Sequence, residues 1–222
     1  MTASSTLLFH SPKRVTELAR LTVNPHISDD VLLPKLARVK RDQQAFNGQN
    51  VYIMRGVENE SHLYVIGEWE SVKQHMEEWV PSNTNQALLA LLDGMVTVDW
   101  VFHLDVSHAE LPFPTQVPLE NVWSIGHHYV SKTRRAGFEQ AFAERKHCVD
   151  AWATQGKPGG GWRIDLEDDV EEFVLFCPWK NVQQHTDFAT FELFQKYAEI
   201  RDYIQSFEVS HARMIDLEQW SS

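Results

Sequence analysis

The segment YVIGEWESVKQHMEEW (64–79) is written a second time, with variation, as VLFCPWKNVQQHTDF (174–188). Aligning the two places Trp69 on Trp179, Val72 on Val182, Gln74 on Gln184 and His75 on His185 at one constant offset. Tryptophan and histidine are rare enough that this match marks an internal repeat. The repeat constrains the fold more than any other feature, because the 222 residues then divide into two units of about 110 each. Units of that size often need a partner surface to bury enough apolar area.

Each unit shows the same order of elements. ELARLTV (17–23) has strand character, and SDDVLLPKLARVKRDQQAF (28–46) is helical with Ser28 as N-cap and Pro34 near the first turn. NVYIMRGV (50–57) and HLYVIGEW (62–69) are β-branched and aromatic, and ENES between them reads as a hairpin. Two helical stretches broken by PSN follow, and VTVDWVFHLDV (96–106) alternates with period two. SHAELPFPTQVPLE (107–120), with three prolines and no periodicity, reads as an extended linker. The order then recurs: strand NVWSIGHHYV, helix AGFEQAFAERKHCVDAWA, hairpin GGWRIDL and EFVLFCPW, helical NVQQHTDFATFELFQKYAEIRDYI, strand FEVSHARMIDL. The expected class is α+β: two tandem ferredoxin-like β-α-β-β-α-β units, residues 1–110 and 121–222. A four-stranded sheet with both helices on one face leaves the other bare, and two bare faces can cover each other as one barrel.

Composition removes several functions. Asp and Glu outnumber Lys and Arg 31 to 20, which opposes phosphate backbones and anionic lipid, so neither nucleic acid nor a membrane is an expected partner. EDDVEE (167–172) reads as a solvated turn. Two cysteines, Cys148 and Cys177, make no CxxC pair and suit reduced thiols of an intracellular protein. The N-terminus lacks the charged n-region of a signal peptide, so the expected location is the cytoplasm. No HExxH, Cys cluster or His-x-His supports a metal. GKPGGGW (156–162) follows a helix and precedes a strand, the reverse of a phosphate-binding loop, and reads as a flexible loop or barrel-mouth lid.

WESVKQHMEEW and WKNVQQHTDF resemble the Trp-x-Ser/Asn-Val-x-x-His signature of the dimeric α+β barrel superfamily, especially fungal-type antibiotic-biosynthesis monooxygenase-like proteins. The resemblance covers 15–106 and 121–217 and implies a tandem-fused barrel: a monomer with an internal pseudo-dimer, with or without further homodimerisation. Activities in that superfamily include cofactor-free oxygenation of polyphenols, polyketide cyclisation, dehydration or decarboxylation, lactone isomerisation and haem degradation. In the bacterial quinone-forming oxygenases a histidine falls about where Glu78 and Phe188 stand here.

Eleven histidines supply groups that titrate near neutral pH. Those kept in both repeats, His75 and His185, are read either as structural residues tying a helix start to a backbone carbonyl or as alternative catalytic residues. Those present in one repeat only are the leading catalytic candidates: His127, His128 and Tyr129 stand where the first repeat has Arg20, Leu21 and Thr22. Strand alternation sends His127 and His128 to opposite faces, so one of them faces the barrel interior. If Trp100, Phe102 and Leu104 pack on helices, Asp99 and His103 point inward as carboxylate and base. Arg55, Glu68, Arg163, Asp165 and His211 are further polar residues set in apolar strands. Tyr52, Tyr64, Trp162 and Phe176 read as an aromatic lining for a flat substrate, or as core.

The resulting expectation is a small-molecule enzyme of secondary metabolism acting on a polyketide- or terpenoid-like substrate without cofactor. Its chemistry is cyclase, isomerase or lyase-type proton transfer, or else cofactor-free monooxygenation. Two non-catalytic alternatives are a hydrophobic-ligand carrier and a haem protein ligated by His75, His185 or His211.

Overall fold

A computed structural model describes residues 14–113, 120–166 and 169–220. The first pass of the chain is β1 (Val15–Val23), α1 (Asp29–Asn47), β2 (Val51–Gly56), β3 (His62–Trp69), a π-helical turn (Gln74–Trp79), α2 (Asn83–Leu92) and β4 (Val96–Leu104). The second is β5 (Val122–Ser131), α3 (Arg135–Asp150), β6 (Gly159–Trp162), β7 (Val170–Trp179), α4 (Val182–Asp187), α5 (Phe194–Tyr197) and β8 (Ile204–Met214). All eight strands join one sheet in the order β4-β1-β3-β2-β8-β5-β7-β6, so the second four repeat the spatial order of the first.

Two equivalent junctions unite the sheet. β2 pairs with β8 at Met54↔Met214, Arg55↔Arg213 and Gly56↔Ala212. At the other edge Leu104 bridges Arg163, Asp105 N donates to Trp162 O at 2.9 Å and Ile164 N to His103 O at 3.0 Å. The sheet thereby closes on itself, leaving neither outer strand as an unprotected edge.

Alternation along each strand sends one set of side chains into the lumen and the other under the helices. Leu18, Ile66, Phe102, Leu104, Trp123, Ile125 and Phe176 fill the lumen. Ala19, Leu21, Ile53, Leu63 and Val65 face outward onto Leu32, Leu36 and Ala37 of α1. Asp29 and Asp30 in its first turn complement the helix dipole. Gly48, at φ 69°, returns its N–H to Gln44 O at 2.8 Å and ends it. The aromatic face of β4 is therefore the lumen face, and His103 lies on the outer side, opposite to the inward placement considered above.

Four other expectations are corrected. Residues 107–113 are not an extended linker: Leu111 and Phe113 are buried among the lumen residues, Tyr52 Oη donates to Phe113 O at 2.8 Å and Trp123 Nε1 to Pro112 O at 3.0 Å. The remainder, 114–119, lies outside the described residues. Gly159–Trp162 is strand β6 rather than a loose lid, and its glycine at 160 is required because a Cβ there would collide with the Val174 carbonyl. Within EDDVEE, Glu172 is 2% exposed rather than solvated; residues 167 and 168 are not described. The last helical stretch is also broken, into α4, α5 and short 3₁₀ turns. Among the described residues no helix is long and apolar enough to cross a membrane.

Candidate functional site

The repeated motif has a local physical explanation. Ser71 Oγ accepts from Gln74 N at 3.1 Å, and Asn181 Oδ1 accepts from Gln184 N at 2.8 Å. The glutamine side chains reach back to the N–H groups of Glu70 (3.0 Å) and Lys180 (2.7 Å). This reciprocal cap, close to a capping box, fixes where the helical segment starts and so where the next histidine falls. His75 stacks on Trp69 with centroids 4.5 Å apart at 13°, and His185 on Trp179 at 4.5 Å and 11°.

Each stacked histidine begins a relay. His185 Nδ1 lies 2.7 Å from His211 Nε2. The backbone N–H of His211 donates to Glu58 Oε2 at 2.9 Å, and its Nδ1 makes a short contact with Glu58 Oε1. In the first half, His75 Nδ1 lies 2.7 Å from His103 Nε2, and both the backbone N–H and the Nδ1 of His103 lie 3.2 Å from Asp165 Oδ2. The carboxylate comes from the opposite half in both cases. The sheet junctions explain this: the turn after β2, carrying Glu58, lies beside His211 on β8, and the turn after β6, carrying Asp165, lies beside His103 on β4. Neither His75 nor His185 is tied to a backbone carbonyl, as the structural reading had expected.

Electrostatics orient the relay protons. Burial acts to raise Glu58, but hydrogen bonds from the His211 backbone and ring outweigh it and hold the carboxyl below its ordinary range; Asp165 is held low by His103 and Arg163 against the same effect of burial. An ionised carboxylate only accepts, so His211 carries its proton on Nδ1 and accepts at Nε2 from His185 Nδ1–H. The lone pair of His185 is then on Nε2. Burial, reinforced by His211 and opposed by Glu58, pushes His185 down to about 4, so it is neutral at pH 7.

The two relays differ at this last nitrogen. His75 Nε2 faces Glu17 Oε2 at 3.7 Å, beyond hydrogen-bond reach; this buried carboxylate accepts from Trp69 Nε1 at 2.8 Å and Gln43 Nε2 at 3.2 Å. The matching position on β5 is Ser124, since Glu17 pairs with His103 as Ser124 pairs with His211. Ser124 Oγ accepts from Trp179 Nε1 at 2.9 Å and reaches no further. His185 Nε2 has no hydrogen-bond partner among the described residues, and its ring lines a cavity of about 340 Å³ between β5, β7, β8 and the helical segments above them. Val149, Leu175, Phe188, Phe194 and Tyr197 supply apolar walls, and Arg201 supplies a cation. Of the three histidines considered as haem ligands, only His185 keeps such an open nitrogen; both ring nitrogens of His211 are engaged.

The other candidates divide between the two faces. His127 points into the lumen, its Nδ1 2.6 Å from Glu172 Oε1. His128 points outward, 3.3 Å from Phe173 O, into the His185 cavity, and burial pushes it down to about 4. Tyr129 lines the lumen cavity, its pKa raised by burial and then by Glu172 and Glu208. Asp99 does not approach His103; it accepts from Arg20 Nε at 2.8 Å and from Thr22 Oγ1 at 2.9 Å. Tyr52, Tyr64 and Phe176 belong to the lumen, whereas Trp162 packs outside with Phe138 and Phe173. Sequence reasoning missed Glu58, Glu172, Glu17 and Ser124. For the last two, the signal was available in one register position filled by Glu in one repeat and Ser in the other.

No family model matches the sequence, and none of the curated proteins compared with it does. Solved structures do match. A putative monooxygenase from Lactobacillus acidophilus NCFM has a TM-score of 0.62 at 11% identity, covering 91% of this chain and 94% of that one. An anthrone oxidase-like protein scores 0.63 at 11% identity over 91% and 92%, and the putative chlorite dismutase TA0507 0.61 at 9% over 94% and 97%. These likenesses show the fold alone: an α+β barrel with ferredoxin-like strand order. Among the described residues no group of three or more His, Cys, Asp or Glu is arranged to hold a metal ion.

Proposed function

We propose that the chain is a small-molecule enzyme in which His185 Nε2 acts as general base on a flat, largely apolar substrate held in the cavity under α4 and α5. One observation carries this reading: of two matched relays, the one ending at His185 opens its lone pair onto a cavity, while the other ends on Glu17. A substrate lying against Trp179 would present an activated C–H or phenolic O–H to Nε2. The proton moves to Nε2; His211 holds the ring in place by accepting from Nδ1–H, and the negative charge of Glu58 stabilises the imidazolium that forms. Arg201, at the cavity wall, offsets charge on the substrate anion. That anion then cyclises, rearranges, loses a group or combines with dioxygen. Two fold neighbours, a putative monooxygenase and an anthrone oxidase-like protein, make oxygenation the outcome to test first. Anthrone incubated with the protein in air should consume oxygen and develop quinone absorbance. No rate above a heat-denatured control, or an undiminished rate in His185→Gln, would remove the assignment.

A second reading is haem ligation through the same atom, favoured because a ligating imidazole usually hydrogen-bonds through its other nitrogen, as His185 Nδ1 does here. Haem would supply redox chemistry. A Soret band that forms with the wild-type chain and not with His185→Gln would favour it over the base.

The chain is further read as two fused ferredoxin-like units, 1–110 and 121–222, forming an internal pseudo-dimer. Matched strand order and matched relays support this. Residues 1–110 expressed alone should self-associate or precipitate through the bared lumen face; a well-behaved monomer with its own cooperative unfolding transition would refute the reading.

A further inference from the structure

We infer that the barrel lumen holds a second ligand site, separate from the His185 cavity, built for a neutral hydroxylated aromatic ring of the phenol or catechol class. The lumen contains a cavity of about 360 Å³ lined by Arg20, Trp100, His127, Tyr129, Arg163 and Glu172, a volume in the range of small-ligand sites.

Its walls occupy register positions that the two halves share and fill differently. Arg20 pairs with Trp100 and Leu18 with Phe102 on one side; His127 pairs with Glu208 and Ile125 with Ser210 on the other. One wall is therefore cationic and aromatic: the Arg20 guanidinium lies 5.3 Å from the Trp100 ring centroid, and Trp100 stacks on Phe102 at 5.0 Å and 23°. The facing wall holds hydrogen-bond acceptors. Filling a core needs volume and apolar surface, which Ile125, Leu18 and Phe176 already provide deeper in the lumen; it does not need a buried ion network at the mouth, where desolvation opposes it.

That network leaves defined groups open. Glu172, 2% exposed, takes His127 Nδ1 at 2.6 Å and Arg163 Nη1 at 3.1 Å. Because an ionised Glu172 claims the Nδ1 proton, His127 presents Nε2 as an acceptor, without a hydrogen-bond partner among the described residues. Arg20 spends Nε on Asp99 and keeps its terminal N–H groups as donors. The charges facing the cavity decide the ligand class. Arg20 and Arg163 are already matched by Asp99, Asp165 and Glu172, and Glu208 adds a further negative charge, so an anion gains nothing. A cation would meet guanidiniums already seated over Trp100 and, at 4.4 Å, over Phe102. A neutral ring whose hydroxyl donates to His127 Nε2 and accepts from Arg20 satisfies both walls.

The test titrates the full-length, ¹⁵N-histidine-labelled chain with catechol under argon, and with benzoate and benzamidine as anionic and cationic counterparts. Calorimetry and the imidazole ¹⁵N resonances are followed, and His127 is assigned from the spectrum of His127→Gln. Catechol should saturate, bind more tightly than either ion, shift the His127 resonances and leave those of His185 in place. Arg20→Met, at a half-exposed position that leaves the buried dyad intact, should weaken binding about tenfold, the loss of one good hydrogen bond. Absence of saturable binding, preference for either ion, shifts at His185 without His127, or unchanged affinity in Arg20→Met would each overturn the proposal. None of these readouts depends on turnover at His185.

Discussion

The relay ending at His75 and the relay ending at His185 share their tryptophan, their capped helix start, both imidazoles and a carboxylate borrowed from the opposite half. They part at one residue: Glu17 blocks the first, and Ser124 leaves the second open. A residue kept in both copies of a repeat need not do the same work in both, because its role is set by the group facing its last free atom. Comparing histidines between repeats therefore favoured His127 and His128, while comparing what lies beneath the histidines singles out His185.

The largest effect should separate the two stacked histidines. His185→Gln is expected to lower turnover on anthrone by roughly 10²–10⁴-fold, with little change in Tm because its ring borders a cavity. His75→Gln should leave turnover near wild type. Equal losses from both would mean that the two relays work alike.

Next come the carboxylates. Glu58→Gln removes the group that fixes the proton on His211 Nδ1 and should lower kcat by roughly 10–10²-fold, less than loss of the base itself because Glu58 acts through an intervening imidazole. Asp165→Asn should leave kcat unchanged. A reversed pattern in steady-state kinetics would move the active end to the first half.

Stability should answer in the opposite sense. Glu17→Ala leaves Trp69 Nε1 and Gln43 Nε2 without their acceptor and should cost about 1–3 kcal/mol in urea unfolding. Ser124→Ala, which strips only the Trp179 contact, should cost about 1 kcal/mol. If Ser124→Ala proves the costlier, the first relay is not the structural one.

A further effect is in pH. His185 and His128 are depressed to about 4 by burial, against an ordinary value of about 6.5. The unfolded chain therefore binds protons that the folded chain refuses. Stability is full above about pH 6.5 and falls as pH drops toward 4, and the depressed Glu58, Asp165 and Glu172 extend the loss below that. Tm followed from pH 7 to 4 should fall less steeply in His185→Gln. Turnover, which needs neutral His185, should stay level down to about pH 5; a loss centred near pH 6.5 would show a base of ordinary pKa.

Much of the architecture was legible because strand alternation and element order are local properties. Trp69, His75 and their second-copy partners could be matched by eye, and the opposite facing of His127 and His128 follows from the pleat. Which face lines the lumen was not legible, since β4 carries Trp100 and Phe102 on one side and Val98 and Val101 on the other, and either set could have met helices. The relays were hidden for a different reason: Glu58 and Asp165 sit in hairpin turns where acids are ordinary, and only closure of the sheet brings them to histidines 153 and 62 positions away. The reading of Asp99 as the carboxylate beside His103 failed because a register shift between Arg20 and Leu21 leaves it on Arg20 and Thr22 instead.

The crossing of the two carboxylates also sets a clock on the molecule. An N-terminal half emerging first from the ribosome has Glu58 but neither His211 nor His185, and a C-terminal half folded alone holds both imidazoles without the acid that orients them. In refolding from urea, helical ellipticity should therefore return before turnover, and the lag between them measures how long the two halves take to find each other.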